Sequence, residues 1–208
     1  MTNKLVLNIG INDADYVTVK EEKINGKRKV VWRCPYYVRW YNLISRCYST
    51  ATLQKNPTYI GCTVCEEWLT FSNFKAWMET QDWENKQLDK DLKILGNMVY
   101  SPETCLFISF ELNKFLNENQ NNRGDYPIGV YLKSENRYGS QCGKTHLGYY
   151  DTAFDAHQRW LSEKINRIDK FIEVSENEIK HALIKFKSIL QYHVENGIIF
   201  KGIKYEIH

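Results

Sequence analysis

The sequence predicts an α+β protein of two small domains. Three observations carry this: a strand–loop–strand–helix order over residues 87–119, three short strand candidates followed by a helix over 126–171, and a polar stretch without hydrophobic periodicity, ENQNNRGD, between them. Over 208 residues, 43% hydrophobic and 14% aromatic content is enough to build a packed core. No run of apolar residues approaches the ~18 needed for a membrane helix. The N-terminus, MTNKLVLNIGINDADYV, places Asn, Asp and Gly where a signal peptide needs an apolar block. An intracellular protein without a membrane partner is therefore expected. Its six cysteines then read as reduced thiols or metal ligands rather than as a disulfide frame.

Residues 4–8 and 29–33 read as strands around an Asn25-Gly26 turn. Pro35 opens a helix in which Tyr37, Tyr41, Ile44 and Tyr48 recur at three-to-four spacing, with Arg39 and Arg46 on its exposed face as candidate phosphate contacts. Residues 49–61 are loop-like, and Cys62-Thr-Val-Cys65 follows as a tight knuckle. A short helix runs from Ser72 to Glu79, with Phe71, Phe74 and Met78 sharing a face. Trp68, Trp77 and Trp83 read as packing residues.

QLDKDL then reads as a strand, KILGNMVYSPET as a loop and CLFIS as a second strand, after which Ser109 caps FELNKFLNEN. Past the polar stretch, PIGVYLK, RYGSQ and KTHLGYY are strand candidates. Thr152 and Asp155 form a capping box for a helix to about Phe171, on which His157 reads as a surface residue. A helix from about Glu176 to Val194 and a terminal strand, IIFKGIKYEI, complete the chain. The domain expectation is N-terminal strands over 1–34, a central domain over 35–120, a sheet-helix module over 125–172 and a C-terminal helix and strand over 173–208.

Formal charge is unevenly distributed. Residues 1–34 carry seven Lys/Arg against four Asp/Glu, 35–120 eight against ten, and 121–170 eight against six. A slightly acidic centre between basic flanks suits a metal site held against a polyanion. The central element order supplies candidates for that site. Asp89 lies on the first strand, the loop returns past Thr104, and Asn113 sits one turn into the helix. A carboxylate and an amide oxygen facing each other can hold a hard divalent cation, which polarises a scissile phosphate.

LDKDLKILGNMVYSPETCLFISFELNK resembles the HNH, or ββα-metal (His-Me finger), endonuclease motif. The resemblance implies a ββα-metal finger core with flanking helices, binding magnesium or manganese. Asp89 and Asn113 fall on its two metal ligands, Lys90 on the general-base His, and Thr104 on the Asn that orients that base. The first 145 residues contain no histidine, so Lys90 is assigned to the phosphate, with Tyr59 and Tyr100 as candidates for activating the nucleophile. Residues 126–160 resemble a second family, the APETALA/ethylene-response-factor DNA-binding domain, whose three-stranded antiparallel sheet reads the major groove. That resemblance makes Tyr131, Lys133, Arg137, Tyr138, Lys144 and His146 candidate DNA contacts.

The combination resembles phage homing-type HNH endonucleases. It implies metal-dependent nicking or double-strand cleavage of DNA in the cytoplasm of an infected bacterial host. The alternative is a catalytically inactive HNH-fold DNA-binding or host-interference protein. Cys62 and Cys65 have the spacing of a zinc knuckle, with Cys34, Cys47 and Cys105 available to complete a candidate structural zinc site. Without zinc these thiols are core residues.

Overall fold

The computed structural model describes residues 4–117 and 125–203. The inter-domain stretch over 118–124 and the last part of the expected terminal strand, 204–208, lie outside the described residues. The chain mixes helix and sheet and divides into two compact units. The first comprises residues 1–84 and 98–105, the second residues 85–97 and 106–208. Among the described residues no helix is long and apolar enough to cross a membrane.

The first unit starts with two hairpins. β1 (Lys4–Val6) pairs antiparallel with β2 (Gly10–Asn12), and β3 (Val19–Ile24) with β4 (Lys27–Arg33). The expected 29–33 strand is real, but its partner is 19–24 rather than 4–8. Asn25 and Gly26 both take positive φ, at 51° and 78°, as a two-residue turn between twisted strands requires. Pro35 then occupies the first position of α1 (Pro35–Tyr48), where its missing N–H is no loss. Ser49 ends that helix and caps α2 (Thr50–Lys55) by accepting from Thr52 N, so the expected loop holds a helical turn.

The core of this unit is aromatic. Trp40 on α1 is fully buried and its indole N–H donates to Trp68 O at 2.7 Å. Phe74 and half-buried Trp77 on α3 (Phe71–Glu79) pack edge-on and tilted against the Trp68 ring. Gly10 lets β2 lie against Trp40, since a Cβ there would stand 2.9 Å from the ring. The expected cysteine knuckle is instead β5 (Thr63–Val64), which pairs in parallel with β7 (Val99–Tyr100). Thr63 N bonds Met98 O at 2.8 Å and Cys65 N bonds Tyr100 O at 2.9 Å.

The second unit begins with β6 (Lys86–Asp89), antiparallel to β8 (Leu106–Ser109) with Asp89 opposite Leu106. Ser109 then caps α4 (Phe110–Leu116), accepting from Leu112 N at 3.1 Å as its sequence indicates. β9 (Val130–Ser134), β10 (Arg137–Cys142) and β11 (Thr145–Tyr150) form a three-stranded antiparallel sheet with β10 central. The helix α5 (Ala153–Val174) packs across one face of it, and α6 (Asn177–Glu195) packs on α5. Thr152 and Asp155 form the expected N-terminal cap of α5.

One apolar core joins these parts, running from Leu92, Leu95, Leu106 and Ile108 through Trp160 and Ile168 to Phe186 and Phe200. Gly129, at φ 79°, passes so close to Trp160 that any Cβ would overlap the indole. His157 is not a surface residue. It is wholly buried, its Nδ1 is 2.8 Å from Ile128 O, and its Nε2 accepts from Phe200 N at 3.0 Å. The segment after α6 supplies that N–H and buries Phe200, and over its described residues it forms no strand.

Candidate metal centre and nucleic-acid interface

Three places gather the candidate residues. The first is the β6–β8–α4 element of the second unit. Asp89 ends β6 and is buried, and its Oδ1 accepts from Asp91 N at 3.0 Å and Leu92 N at 2.8 Å. That Asx-type turn drives the chain into the 90–97 loop. Burial, and next the Asp91 carboxylate, push the Asp89 carboxyl up to about 6. Among the described residues no hydrogen bond reaches its Oδ2.

Lys90 is only 2% exposed, and its ammonium is held by Asp91 Oδ1 at 2.5 Å and Asn97 O at 2.6 Å. Asn97 returns a bond to Lys90 O at 3.0 Å, so the pair locks the loop from both sides. Asn113, one turn into α4, donates to Gln87 Oε1, and its Oδ1 accepts from Asn117 Nδ2 at 2.7 Å. The helix thus meets β6 at Gln87, two residues before Asp89 and on the same face. Thr104 belongs to the first unit. Its hydroxyl donates to Val99 O at 2.7 Å and accepts from Ser101 N, closing the Ser101–Thr104 turn.

The second place is the sheet face turned away from α5. Tyr131, Gly139 and Tyr149 stand side by side across the three strands. Because Gly139 has no side chain, the Tyr131 ring lies flat over β10. Tyr131 and Tyr149 are linked through their hydroxyls, and Tyr131 Oη is 3.3 Å from His146 Nδ1. The His146 and Tyr149 rings are 4.5 Å apart. Lys133 Nζ and Arg137 Cζ approach the Tyr149 ring to 5.9 and 5.8 Å. Tyr149 is therefore the hub of a basic, aromatic and largely exposed surface.

Sequence reasoning missed Tyr149 for a specific reason. A register shift at Ser140/Gln141 puts His146 and Tyr149, three residues apart, on one face, where simple alternation separates them. Alternation along β10 also puts Tyr138 on the opposite face from Gly139. There it pairs across the sheet with Leu132 and Tyr150 and packs its ring on Tyr126, away from the other candidates. Lys144 is exposed in the turn between β10 and β11.

The third place is in the first unit, around α1. Arg46 is half-buried rather than on an exposed face. Its guanidinium lies 5.7 Å from the Tyr59 ring centroid and bonds the Tyr100 hydroxyl. Burial, and then the Arg46 charge, lower the basicity of Arg39, so the two cations feel one another. Burial pushes the Tyr100 phenol well above its ordinary value, which disfavours the phenolate a nucleophile activator would use. Cys47, Cys62 and Cys105 are buried and Cys65 is half-buried, and none of the four is in a disulfide. Among the described residues no three His, Cys, Asp or Glu side chains gather where they could hold one metal ion. Comparison with protein-family models, with curated proteins and with solved structures returns no match to this chain.

Proposed function

We propose that this chain is an HNH-like endonuclease that contacts duplex DNA through the β9–β11 sheet face and cleaves it at the β6–β8–α4 finger. The observation that carries the reading is the Tyr149-centred surface. Two cations, an imidazole and two phenols share one face of a sheet whose other face is covered by a helix. An antiparallel ribbon of this kind fits a major groove about 12 Å wide, with cations for phosphates and rings for bases or sugars. The order β6–β8–α4 supports the ββα-metal finger.

Cleavage rests on Asp89. A buried carboxylate with one oxygen already fixed by two backbone N–H groups, and the other without a bond among the described residues, fits a divalent cation. Such a cation, magnesium or manganese, supplies Lewis-acid polarisation of the scissile phosphate. Asn113 is the second ligand in this reading, its Oδ1 retaining acceptor capacity beside the Asn117 bond. Thr104 shapes the loop that precedes β8. Structural zinc at Cys47, Cys62, Cys65 and Cys105 is a separate proposal, tested by metal content.

A second reading, DNA binding without cleavage, is favoured by Lys90. Its ammonium is engaged at both ends of its loop and is almost wholly buried. One experiment separates the two. Supercoiled plasmid is incubated with magnesium or manganese and the parent, Asp89→Ala, Asn113→Ala or Tyr149→Ala protein. Metal-dependent nicking lost in the first two variants, with binding weakened in the third, is expected. Binding by a folded parent that never cuts would leave only the second reading.

A further inference from the structure

The hairpin β3–β4 is not explained by the fold. Among the described residues it pairs with no other strand, and every residue from Lys20 through Arg33 is exposed, including Val30, Val31 and Trp32. A two-stranded hairpin without a covered face is marginal in water by itself. This one nevertheless carries a tight Asn25-Gly26 turn and a defined register from Val19↔Arg33 to Ile24↔Lys27. Its composition is strongly one-sided: Lys20, Lys23, Lys27, Arg28, Lys29 and Arg33 stand against only Glu21 and Glu22.

The register divides those cations evenly. Lys20, Lys27 and Lys29 share one face with Glu22, Ile24 and Trp32, and the Lys20 ammonium stands 5.4 Å from the Trp32 ring centroid. Lys23, Arg28 and Arg33 lie on the other face with Glu21 and Val30. The three charged residues nearest the turn, Lys23, Lys27 and Arg28, are all cationic, and on the next rung Lys29 stands opposite Glu22. Nearer the base, Val30, Val31 and Trp32 are apolar. An arm with cations on both faces and at its tip has neither the single apolar face of a sheet awaiting a protein core nor the polar edge of a solvated loop. It has the form of an object that enters a cleft walled by negative charge on both sides.

We propose that this hairpin is a second DNA-contacting element, inserted tip-first into the major groove. The proposal rests on the DNA reading above and adds an interface in the other unit. A two-stranded ribbon is about 10–12 Å across with its side chains, which the major groove admits and the minor groove, about 6 Å wide, does not. Lys and Arg of the two faces then reach the phosphates of the two strands, and Arg28 at the tip reaches base edges.

The test uses full-length protein and a short duplex. Affinity is measured against salt for the parent, for the tip variant K27Q/R28Q/K29Q and for Tyr149→Ala, with dimethyl sulfate footprinting of guanine N7 in the major groove. The tip is exposed, so the triple variant keeps the parent's unfolding curve. The slope of log affinity against log salt is expected to fall by roughly two to three, affinity to drop at least about tenfold near 0.1 M salt, and a patch of N7 protection to disappear. Tyr149→Ala should lose a different patch. A tip variant with the parent's slope and footprint, while Tyr149→Ala weakens binding, overturns the hairpin proposal and leaves the sheet reading standing. A parent that binds no duplex overturns both. Concentration-dependent dimers abolished by Trp32→Ala, with no loss of DNA affinity in the tip variant, would assign the hairpin to a second copy of the chain instead.

Discussion

Asp89 combines burial, two backbone hydrogen bonds to Oδ1 and a carboxyl raised from 3.8 to about 6. The direction sets how stability varies with pH. A carboxyl whose folded value exceeds its unfolded one binds more protons in the native state, so its contribution is full below about pH 4 and is lost as pH rises through about 6. Each pH unit of that displacement is worth about 1.4 kcal/mol, so ionised Asp89 costs on the order of 3 kcal/mol at neutral pH. Asparagine keeps an acceptor at Oδ1 and cannot ionise. Asp89→Asn is therefore expected to exceed the parent in stability by about 2–3 kcal/mol at pH 7.5, and to come within ~1 kcal/mol of it at pH 4. Urea unfolding at the two pH values measures this. Parallel pH profiles for the two proteins would show that the buried carboxylate carries no such burden.

At the scale of elements, most of the fold was legible from turns and caps. Pro35, Ser109 and Thr152 start their helices where the sequence places them, and Asn25-Gly26 closes a hairpin. Faces were harder to read. The β9–β11 strands contain two register shifts, at Arg137/Tyr138 and Ser140/Gln141, and each breaks the period of two on which a face assignment rests. The shift at Ser140/Gln141 hides Tyr149 as a neighbour of His146, whereas plain alternation along β10 is enough to set Tyr138 apart from Gly139 and its face. Arg46 and His157 share another cause: each faces an element distant in sequence, Tyr100 in one case and Phe200 in the other, which no local helical pattern reveals. The surface that results depends on Gly139. Its extended backbone accepts alanine without strain, but the added methyl would strike the Tyr131 ring and lift it from β10. Gly139→Ala should lower duplex affinity about tenfold, the scale of one lost stacking contact, while shifting the unfolding free energy by less than ~1 kcal/mol. Fluorescence anisotropy with a labelled duplex, beside a urea titration, reads both. Unchanged affinity would mean that the Tyr131 platform does not touch DNA.

At the scale of the whole chain, each unit is completed by a segment taken from within the sequence span of the other. Residues 98–105 belong to the first unit, where β7 pairs with β5 and buries Tyr100. Residues 85–97 belong to the second, supplying β6 as the partner of β8 and placing Leu92 and Leu95 in its core. This interleaving was not legible in the sequence, because β7 is two residues long and its partner lies 36 residues upstream. It has a measurable consequence. A fragment of residues 1–84 leaves β5 unpaired and removes the buried Tyr100. A fragment of residues 106–208 leaves β8 unpaired and opens the space of two buried leucines, each worth roughly 2–4 kcal/mol. Those losses, together about 4–8 kcal/mol, rival the entire stability of an ordinary domain. Neither fragment should therefore give a cooperative urea transition by circular dichroism, whereas the full chain should. If residues 106–208 alone unfold cooperatively at the midpoint of the full chain, β6 and the two leucines are dispensable to that core. The β6–β8–α4 element would then be an attachment to the sheet–helix module, and a lesion at Asp89 could not be transmitted to the stability of the β9–β11 sheet.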